Sequence, residues 1–486
     1  MRRVVLAASW PALGAALLEG CAVGPRFKPP ATPASAQGPF VSAMPPEQSA
    51  PAPLPPLWWR LYSDPVLDGL VRQALTQNQD LKAAAANLAY AQALLEEARA
   101  GRFPSTDLTA SGPVYARSTL QALSSGMSAK AASTVYTAGL TASYQVDLFG
   151  RIRRGIQAAR ANAEATQAAE DVVRVTVAGQ TASAYADICG FGEQIDVARR
   201  SLDLVQQTYD LTVTERDAGA LSDFDLAREG VILAQAKAAI PPLEGQRRAA
   251  LFTLAALIGR TPAQVPAEAA ACRSPPRITR PLPVGDGAAL LKRRPDVREA
   301  ERNLAAATFR IGVAAADLYP TISIGGAVSN AATTVGGLGN TAAASYSIGP
   351  LLNWSFPNIL VARARIHEAG AQASGALASF DGVVLTALGD TEKALSTYGA
   401  ELDHHLALAD ASKNADEALR LADVQFKAGA ASFLDLITAE QTAVAADQAL
   451  AQSDQTISDD QVAVFQALGG GWEGAPTVAA PRIPGA

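Results

Sequence analysis

Apolar residues recur along this chain with two different periods, and stretches of the two kinds alternate. Apolar positions every three to four residues predict helices from Val66 to Gln77 and from Asp80 to about Gly101. The same spacing continues without proline from Arg151 to Asp217, which as one helix would be about 100 Å long. A returning arm is expected to kink at Pro241-Pro242 and to resume from Leu243 to Ile258.

Shorter stretches alternate apolar and small polar residues, which predicts two pairs of strands at about 105–149 and 320–357. The clearest strand has its apolar set at Tyr136, Ala138, Leu140, Ala142, Tyr144, Val146 and Leu148. No charged residue lies between Asp317 and Arg363. Such strands suit a transmembrane barrel with an apolar outer face and a wet lumen, and a soluble sheet with one buried face is the alternative. Because four strands are too few to close a barrel, several chains would have to share one.

The predicted elements recur in the same order in the two halves of the chain, which indicates an internal duplication. A proline-free run over residues 358–475 supplies the second long hairpin. The turn residues of the two hairpins are Gly219, Ser222 and Asp225 in the first and Gly429, Ser432 and Asp435 in the second. Glycine tolerates the left-handed conformation that ends a helix, and serine followed three residues later by an acid resembles a capping box. Each set therefore predicts the tip of a helical hairpin.

Five segments follow from these boundaries. They are a signal peptide (1–20), a Pro-rich extended segment (21–57), a first repeat (58–270), a second repeat (271–470) and a flexible tail (471–486).

The N-terminus is typical of an exported protein. Two arginines precede an apolar run from Val4 to Leu18 that is too short, and too broken by Pro11, to span a bilayer. Cys21 directly after this run resembles the lipidation site of bacterial lipoproteins, and a chance cysteine is the alternative. Ala22 behind it resembles the context of lipoproteins that are sent to the outer membrane.

Composition and charge exclude several functions. The net charge of −6, without a basic patch, argues against a nucleic-acid partner. His367, His404 and His405 lie on helical patterns without cysteine or carboxylate at ligand spacing. We therefore expect a solvated pair at His404 and His405, no metal site, no cofactor and no enzyme activity. Cys189 and Cys272 could form a disulfide in an oxidising periplasm, and two buried thiols are the alternative.

A set of short motifs carries a resemblance to a known family. The motifs are Trp59-Arg60, Asp64-Pro65-Val66-Leu67, Asp147-Leu148-Phe149-Gly150, Arg294-Pro295-Asp296-Val297-Arg298, Ala316-Asp317-Leu318-Tyr319-Pro320 and the two tips. With them, the chain resembles the TolC-like outer-membrane factors, specifically the NodT-type lipoprotein branch that serves resistance-nodulation-division efflux pumps. The resemblance extends from the Cys21 region to Gly469.

The resemblance implies a fold that is mainly α-helical and has β-strands in the membrane. Internally duplicated, long antiparallel helical hairpins would form a periplasmic α-barrel, and each protomer of a homotrimer would add four strands to a shared twelve-stranded β-barrel. The protein would be anchored in outer-membrane lipid and would export small molecules as the passive duct of a tripartite pump. Its partners would be a periplasmic adaptor protein and an inner-membrane resistance-nodulation-division transporter. Protein secretion, metal-ion efflux and a lipid-anchored scaffold without a pore are the alternatives.

The same resemblance implies a periplasmic gate at the tips. By position, Asp435 corresponds to the constricting carboxylate and Asp225 to its companion. Because other latching side chains of related members are missing here, we expect a carboxylate ring with an apolar collar from Phe426, Phe433 and Leu434. A helix-capping role alone is the alternative for both acids.

Overall fold

The computed structural model describes residues 22–42, 45, 48–116, 133–340, 344–356 and 359–481. The predicted signal peptide (1–20) and the predicted lipidation site, Cys21, lie outside the described residues. Contacts divide the chain into two compact units. The first unit contains the described parts of 1–30, 90–165 and 300–380, and the second contains those of 31–89, 166–299 and 381–486.

Long helices make up most of the described chain. In chain order they are α1 (Pro65–Gln77), α2 (Gln79–Ala100), α3 (Arg151–Asp217), α4 (Asp223–Leu257), α5 (Ala267–Ala270), α6 (Gly287–Arg293), α7 (Pro295–Ala316), α8 (Ile359–Lys427) and α9 (Phe433–Ala467). Helices α3 and α8 have 67 and 69 residues, so each is about 100 Å long. The bounds of α3 are those that the apolar spacing predicts. Among the described helices, none combines the length and the apolar character needed to cross a membrane.

The returning arm of the first hairpin differs from the prediction. The sequence predicts a kink at Pro241-Pro242 and a restart at Leu243, whereas helix α4 runs through both prolines without a break. Prolines at these positions cannot donate to the carbonyl groups of Lys237 and Ala238, four residues earlier. Both prolines and both of these residues are exposed, so water can satisfy the carbonyl groups and the helix need not end.

The strands of the first unit form one antiparallel sheet. Its four strands, in spatial order, are β2 (Ser105–Ala116), β3 (Ser133–Val146), β5 (Thr321–Ala332) and β6 (Ala344–Asn353). The remaining two strands of the described residues are in the second unit, where β1 (Ser49–Ala50) pairs in parallel with β4 (Leu282–Pro283). The register aligns one exposed apolar row across the larger sheet, Leu108, Leu140, Val328 and Tyr346. The next row, on the opposite face, is Thr109, Gly139, Ser329 and Ser345. The sheet thus has one apolar and one small, polar face, as the period-two pattern predicts.

The motif after β3 starts the long helix α3. Asp147 accepts hydrogen bonds from the backbone N–H groups of Ile152 (3.0 Å) and Arg153 (2.8 Å), which would otherwise lack partners in the first turn. Phe149 stacks on Tyr319 with ring centroids 4.4 Å apart. The motif that follows β3 and the motif that follows α7 are therefore in contact within the first unit.

The core of the second unit is built around Trp58. Its ring is fully buried, stacks on Phe465 at 4.7 Å and meets Trp59 and Tyr62 edge-on. Arg294, in the motif that precedes α7, pairs with Asp296 and donates to the Ala467 carbonyl at the end of α9 (2.9 Å). These contacts join the start of each repeat to the last helix of the chain.

One carboxylate of α8 binds the backbone of the Pro-rich segment, in addition to the pairing of β1 with β4. The backbone N–H groups of Val41 and Ser42 each donate to Glu392 on α8 at 2.7 Å. Phe40, just before them, is buried in the core. Contacts of its side chains and of its backbone with the second unit thus order a segment that has little regular structure of its own.

Candidate functional site

The two hairpin tips share one local structure. Gly219 and Gly429 have φ of 79° and 70°, the left-handed conformation that glycine adopts without a steric penalty. The N–H of each donates back to the preceding helix, to Arg216 in the first tip and to Phe426 in the second, both at 2.9 Å. Two residues of the following turn donate to Glu215 and to Gln425 in the same way. The glycines therefore end α3 and α8 with satisfied carbonyl groups.

A reciprocal capping box begins the next helix at each tip. In the first tip, the Asp225 N–H donates to Ser222 Oγ (3.2 Å), and the Ser222 N–H donates to Asp225 Oδ2 (3.0 Å). Ser432 and Asp435 repeat these bonds at the same distances. In each tip the serine hydroxyl also donates to the aspartate at 2.6 Å. These serine hydroxyl bonds, and then the backbone bonds, lower the pKa of both aspartates, so both are ionised at neutral pH.

Apolar side chains join the two hairpins directly behind the tips. Val205 on α3, Ile232 and Leu233 on α4, and Phe433 and Ile437 on α9 form one buried cluster. Phe426 packs against it, with its ring centroid 5.9 Å from that of Phe433. We call this set of residues the tip cluster. It fixes the two tips side by side within one chain.

The tip cluster changes the expected apolar collar. Phe433 is 7% exposed and Phe426 is partly buried, because both rings fill the space between the hairpins. Leu434 is exposed, as is Phe224 in the first tip, which the sequence reasoning did not select. Asp435 is exposed and Asp225 is half-buried. Of the predicted gate residues, Asp435 and Leu434 are therefore open to a partner or to solvent, and Phe433 has a packing role in the single chain.

Two buried glutamates near the tips were not predicted from the sequence. Glu229 on α4 and Glu440 on α9 are 0% and 1% exposed. Burial, and then the nearby Glu440 carboxylate, raises the pKa of Glu229 to about 7. Burial also raises the pKa of Glu440, and a hydrogen bond from Thr208 Oγ1 offsets only part of this rise. The signal that could have found Glu440 is its place among Leu436, Ile437, Ala443 and Val444, on the apolar face of α9.

The cysteines and histidines lie away from the tips in sequence. Cys189 and Cys272 form a disulfide with Cα atoms 4.8 Å apart. His404 is exposed beside Glu401 (3.3 Å), but His405 lies 3.3 Å from Asp454 with only 19% of its side chain exposed. The expectation of a solvated pair is therefore wrong for His405, which faces α9. The described residues contain no group of three or more potential metal ligands.

Comparisons with known proteins give one consistent result. A family model described as outer membrane efflux protein matches residues 70–260 and 288–470. Nodulation protein T from Rhizobium leguminosarum bv. viciae is 29% identical over 466 residues, 96% of this chain and 94% of that protein. Pyoverdine export outer membrane protein OpmQ from Pseudomonas aeruginosa is 30% identical over 427 residues, 86% of this chain and 87% of that protein. The solved structure of the outer-membrane channel OprN matches with a TM-score of 0.86 and 33% identity, over 93% of this chain and 100% of OprN.

Proposed function

The chain belongs to the outer membrane efflux protein family, and from that premise we propose that it is the outer-membrane duct of a tripartite efflux pump. Its similar proteins are efflux channels of the outer membrane rather than enzymes. The proposed duct is a passive homotrimer that exports small molecules from the periplasm or from an inner-membrane transporter. Pyoverdine export by a relative supports an organic cargo of low molecular weight.

The observation that carries this proposal is the exposed apolar face of the four-stranded sheet in the described residues. Leu108, Leu140, Val328 and Tyr346 form a continuous row across all its strands and are 49–86% exposed. Water around such a row is unfavourable by about 25 cal/mol per Å² of apolar surface. Lipid is the environment that suits it, and the small polar residues on the other face suit a water-filled lumen.

The edges of the sheet support three copies. In the described part of the chain, β2 and β6 each pair with a neighbour on one side only. Unpaired backbone groups in a membrane cost several kcal/mol each, so the edges need partners. Three protomers with four strands each would close a barrel of about twelve strands, within the size range of outer-membrane barrels.

The residues that follow Cys21 support lipid anchoring at this site. The Val23 N–H donates to the Phe149 carbonyl at 3.2 Å, just beyond the end of β3. Arg154 donates to the Val23 and Gly24 carbonyls, each at 3.2 Å. These bonds dock the segment onto the first unit beside the end of a strand. A lipid on Cys21 would therefore enter the membrane close to the sheet.

The tips are the proposed docking end for the pump. Exposed Phe224 and Leu434 are apolar positions that a periplasmic adaptor protein could cover, and the adaptor would connect the duct to a resistance-nodulation-division transporter. Asp435 is the proposed gate carboxylate and Asp225 its companion.

A deletion strain tests the proposed function. Loss of the chain is expected to lower the minimal inhibitory concentration of small organic toxicants, and a plasmid copy should restore it. The purified protein should be an embedded trimer that conducts ions in planar bilayers. Sensitivity to metal ions alone would favour metal efflux, and extraction as a peripheral monomer would favour the scaffold.

Replacing Asp435 with asparagine is expected to lower the cation preference of the duct by at least about twofold, because charge-lined constrictions concentrate counter-ions about tenfold or more. Asparagine keeps an oxygen that can accept from the Ser432 N–H, so the helix cap survives. The reversal potential under a KCl gradient measures the effect, with Asp225→Asn as the matched variant in the other tip. If the Asp435→Asn variant kept wild-type ion selectivity, Asp435 would have no role in the gate and would only cap its helix.

A further inference from the structure

A pair of buried carboxyl groups lies between the helices that lead away from the tips. Within the described residues, three of the four carboxyl oxygens of Glu229 and Glu440 have no hydrogen-bond partner. The fourth, Glu440 Oε2, accepts from Thr208 Oγ1 at 2.5 Å. Helices α3, α4 and α9 therefore each contribute one side chain. An unsatisfied buried carboxylate is costly, and two such charges side by side are more so.

The pair lies close to both tips along the chain. Glu229 follows the capping residue Asp225 by four residues, and Glu440 follows Asp435 by five, so each is about two turns into its helix. Ile232 and Leu233 of the tip cluster lie three and four residues after Glu229 on α4. The pair therefore belongs to the packing that holds α4 and α9 together behind the tips.

The charged groups around the pair do not neutralise it. Arg228 is the cation on α4 that acts on Glu229. Thr208 and Glu440 border a cavity of about 480 Å³. The charged residues that α8 contributes to its lining are Asp416, Arg420, Asp423 and Lys427. Arg420 pairs with Glu417 and Lys427 with Asp423. No ion pair of Glu229 or Glu440 occurs in the described residues, so a proton is the species left to reduce their charge.

We propose that Glu229 and Glu440 form a proton-held lock: a proton bound by the pair keeps α4 and α9 packed behind the tips, and its release to water loosens that packing. We call this pair the carboxyl lock. The inference rests on the proposed function, because only in a duct would looser tips change passage through a gate.

The direction of the pH effect follows from the packing. In the packed state the pKa of Glu229 is about 7, against an ordinary value of 4.5. Once the helices separate and water reaches the carboxyl group, its pKa falls back toward 4.5. The packed state therefore binds more protons, and its stabilisation is complete below about pH 4.5 and is lost as the pH rises to about 7. The packing of α4 against α9 behind the tips should therefore be tighter in mild acid and looser at neutral and alkaline pH.

Amide hydrogen exchange of the wild-type trimer in lipid nanodiscs tests the lock. We expect protection in the first turns of α4 and α9, corrected for intrinsic exchange, to fall by roughly ten- to a hundredfold from pH 5 to pH 8. The double variant Glu229→Gln, Glu440→Gln is permanently neutral and has nearly the same shape. It should keep its protection across this range. Glu368→Gln, at an exposed glutamate of α8 that does not line this cavity, removes the same charge elsewhere and should follow the wild type.

Two results would overturn the lock: protection in the wild type that does not change between pH 5 and pH 8, or a wild-type pH response in the double glutamine variant. The first result needs no variant, so misfolding of the mutant cannot rescue the proposal. Absence of conductance in planar bilayers would instead contradict the duct, and it would leave the exchange result unaffected.

Discussion

Replacing Phe465 with alanine is expected to lower the free energy of unfolding of the second unit by about 3–5 kcal/mol, the usual cost of removing a buried aromatic ring. The Phe465 ring is 0% exposed and stacks on Trp58 at 4.7 Å. Tyr62 meets it edge-on at 6.5 Å. These aromatic residues come from opposite ends of the chain, so the cavity would lie where the N-terminal part meets α9. Neighbouring rings stacked on a deleted one can collapse into its space only in part.

Guanidinium denaturation followed by circular dichroism measures this loss. Phe224→Ala is the matched control, because it deletes the same side chain at a position that is 72% exposed in the same unit. It should change stability by less than about 0.5 kcal/mol. Equal midpoints for the two variants would contradict the assignment of Phe465 to the core.

Features fixed by neighbouring residues could be predicted from the sequence. The end of α3 at Asp217 and the capping boxes at Ser222 and Ser432 depend on contacts within five residues. Strand parity is equally local, because it follows from the pleat of the backbone.

Features that depend on distant segments were missed or wrong. Glu392 on α8 binds the backbone of Val41 and Ser42 across 350 residues of sequence, and nothing local distinguishes it from an exposed acid. The burial of Phe433 likewise depends on the other hairpin, which supplies Val205, Ile232 and Leu233 around it. The burial of Glu229 and Glu440 was missed for the same reason, since the sequence near each residue does not show which other helices cover it.

The two tip aspartates, Asp225 and Asp435, depend on both local and long-range contacts. Capping alone explains the position of Asp225 and Asp435, and it keeps both ionised. What differs between the tips is the surroundings: Asp435 is exposed, while Asp225 is half-buried. This difference makes Asp435 the better candidate for the proposed gate carboxylate.

Replacing Leu140 with arginine is expected to destabilise the membrane-embedded trimer by about 2–4 kcal/mol per protomer, the cost of an arginine on the lipid face near the bilayer midplane. Leu140 is near the middle of β3, is 49% exposed and lies in the apolar row between Leu108 and Val328. Three protomers would each carry the charge, so the cost is incurred three times in one barrel. We expect little heat-modifiable trimer in outer-membrane fractions, and drug susceptibility close to that of the deletion strain.

The neighbouring residue provides the control for this prediction. Thr141 has the opposite orientation on the same strand and pairs directly with Asp107 of β2. An arginine there would face the wet side of the sheet, opposite a carboxylate, where opposite charges across a strand pair are favourable by about 0.2–1 kcal/mol. Thr141→Arg should therefore assemble normally and change only conductance. If both variants assembled equally well, the apolar row would not face lipid, and a soluble sheet covered by another protein would explain its exposure.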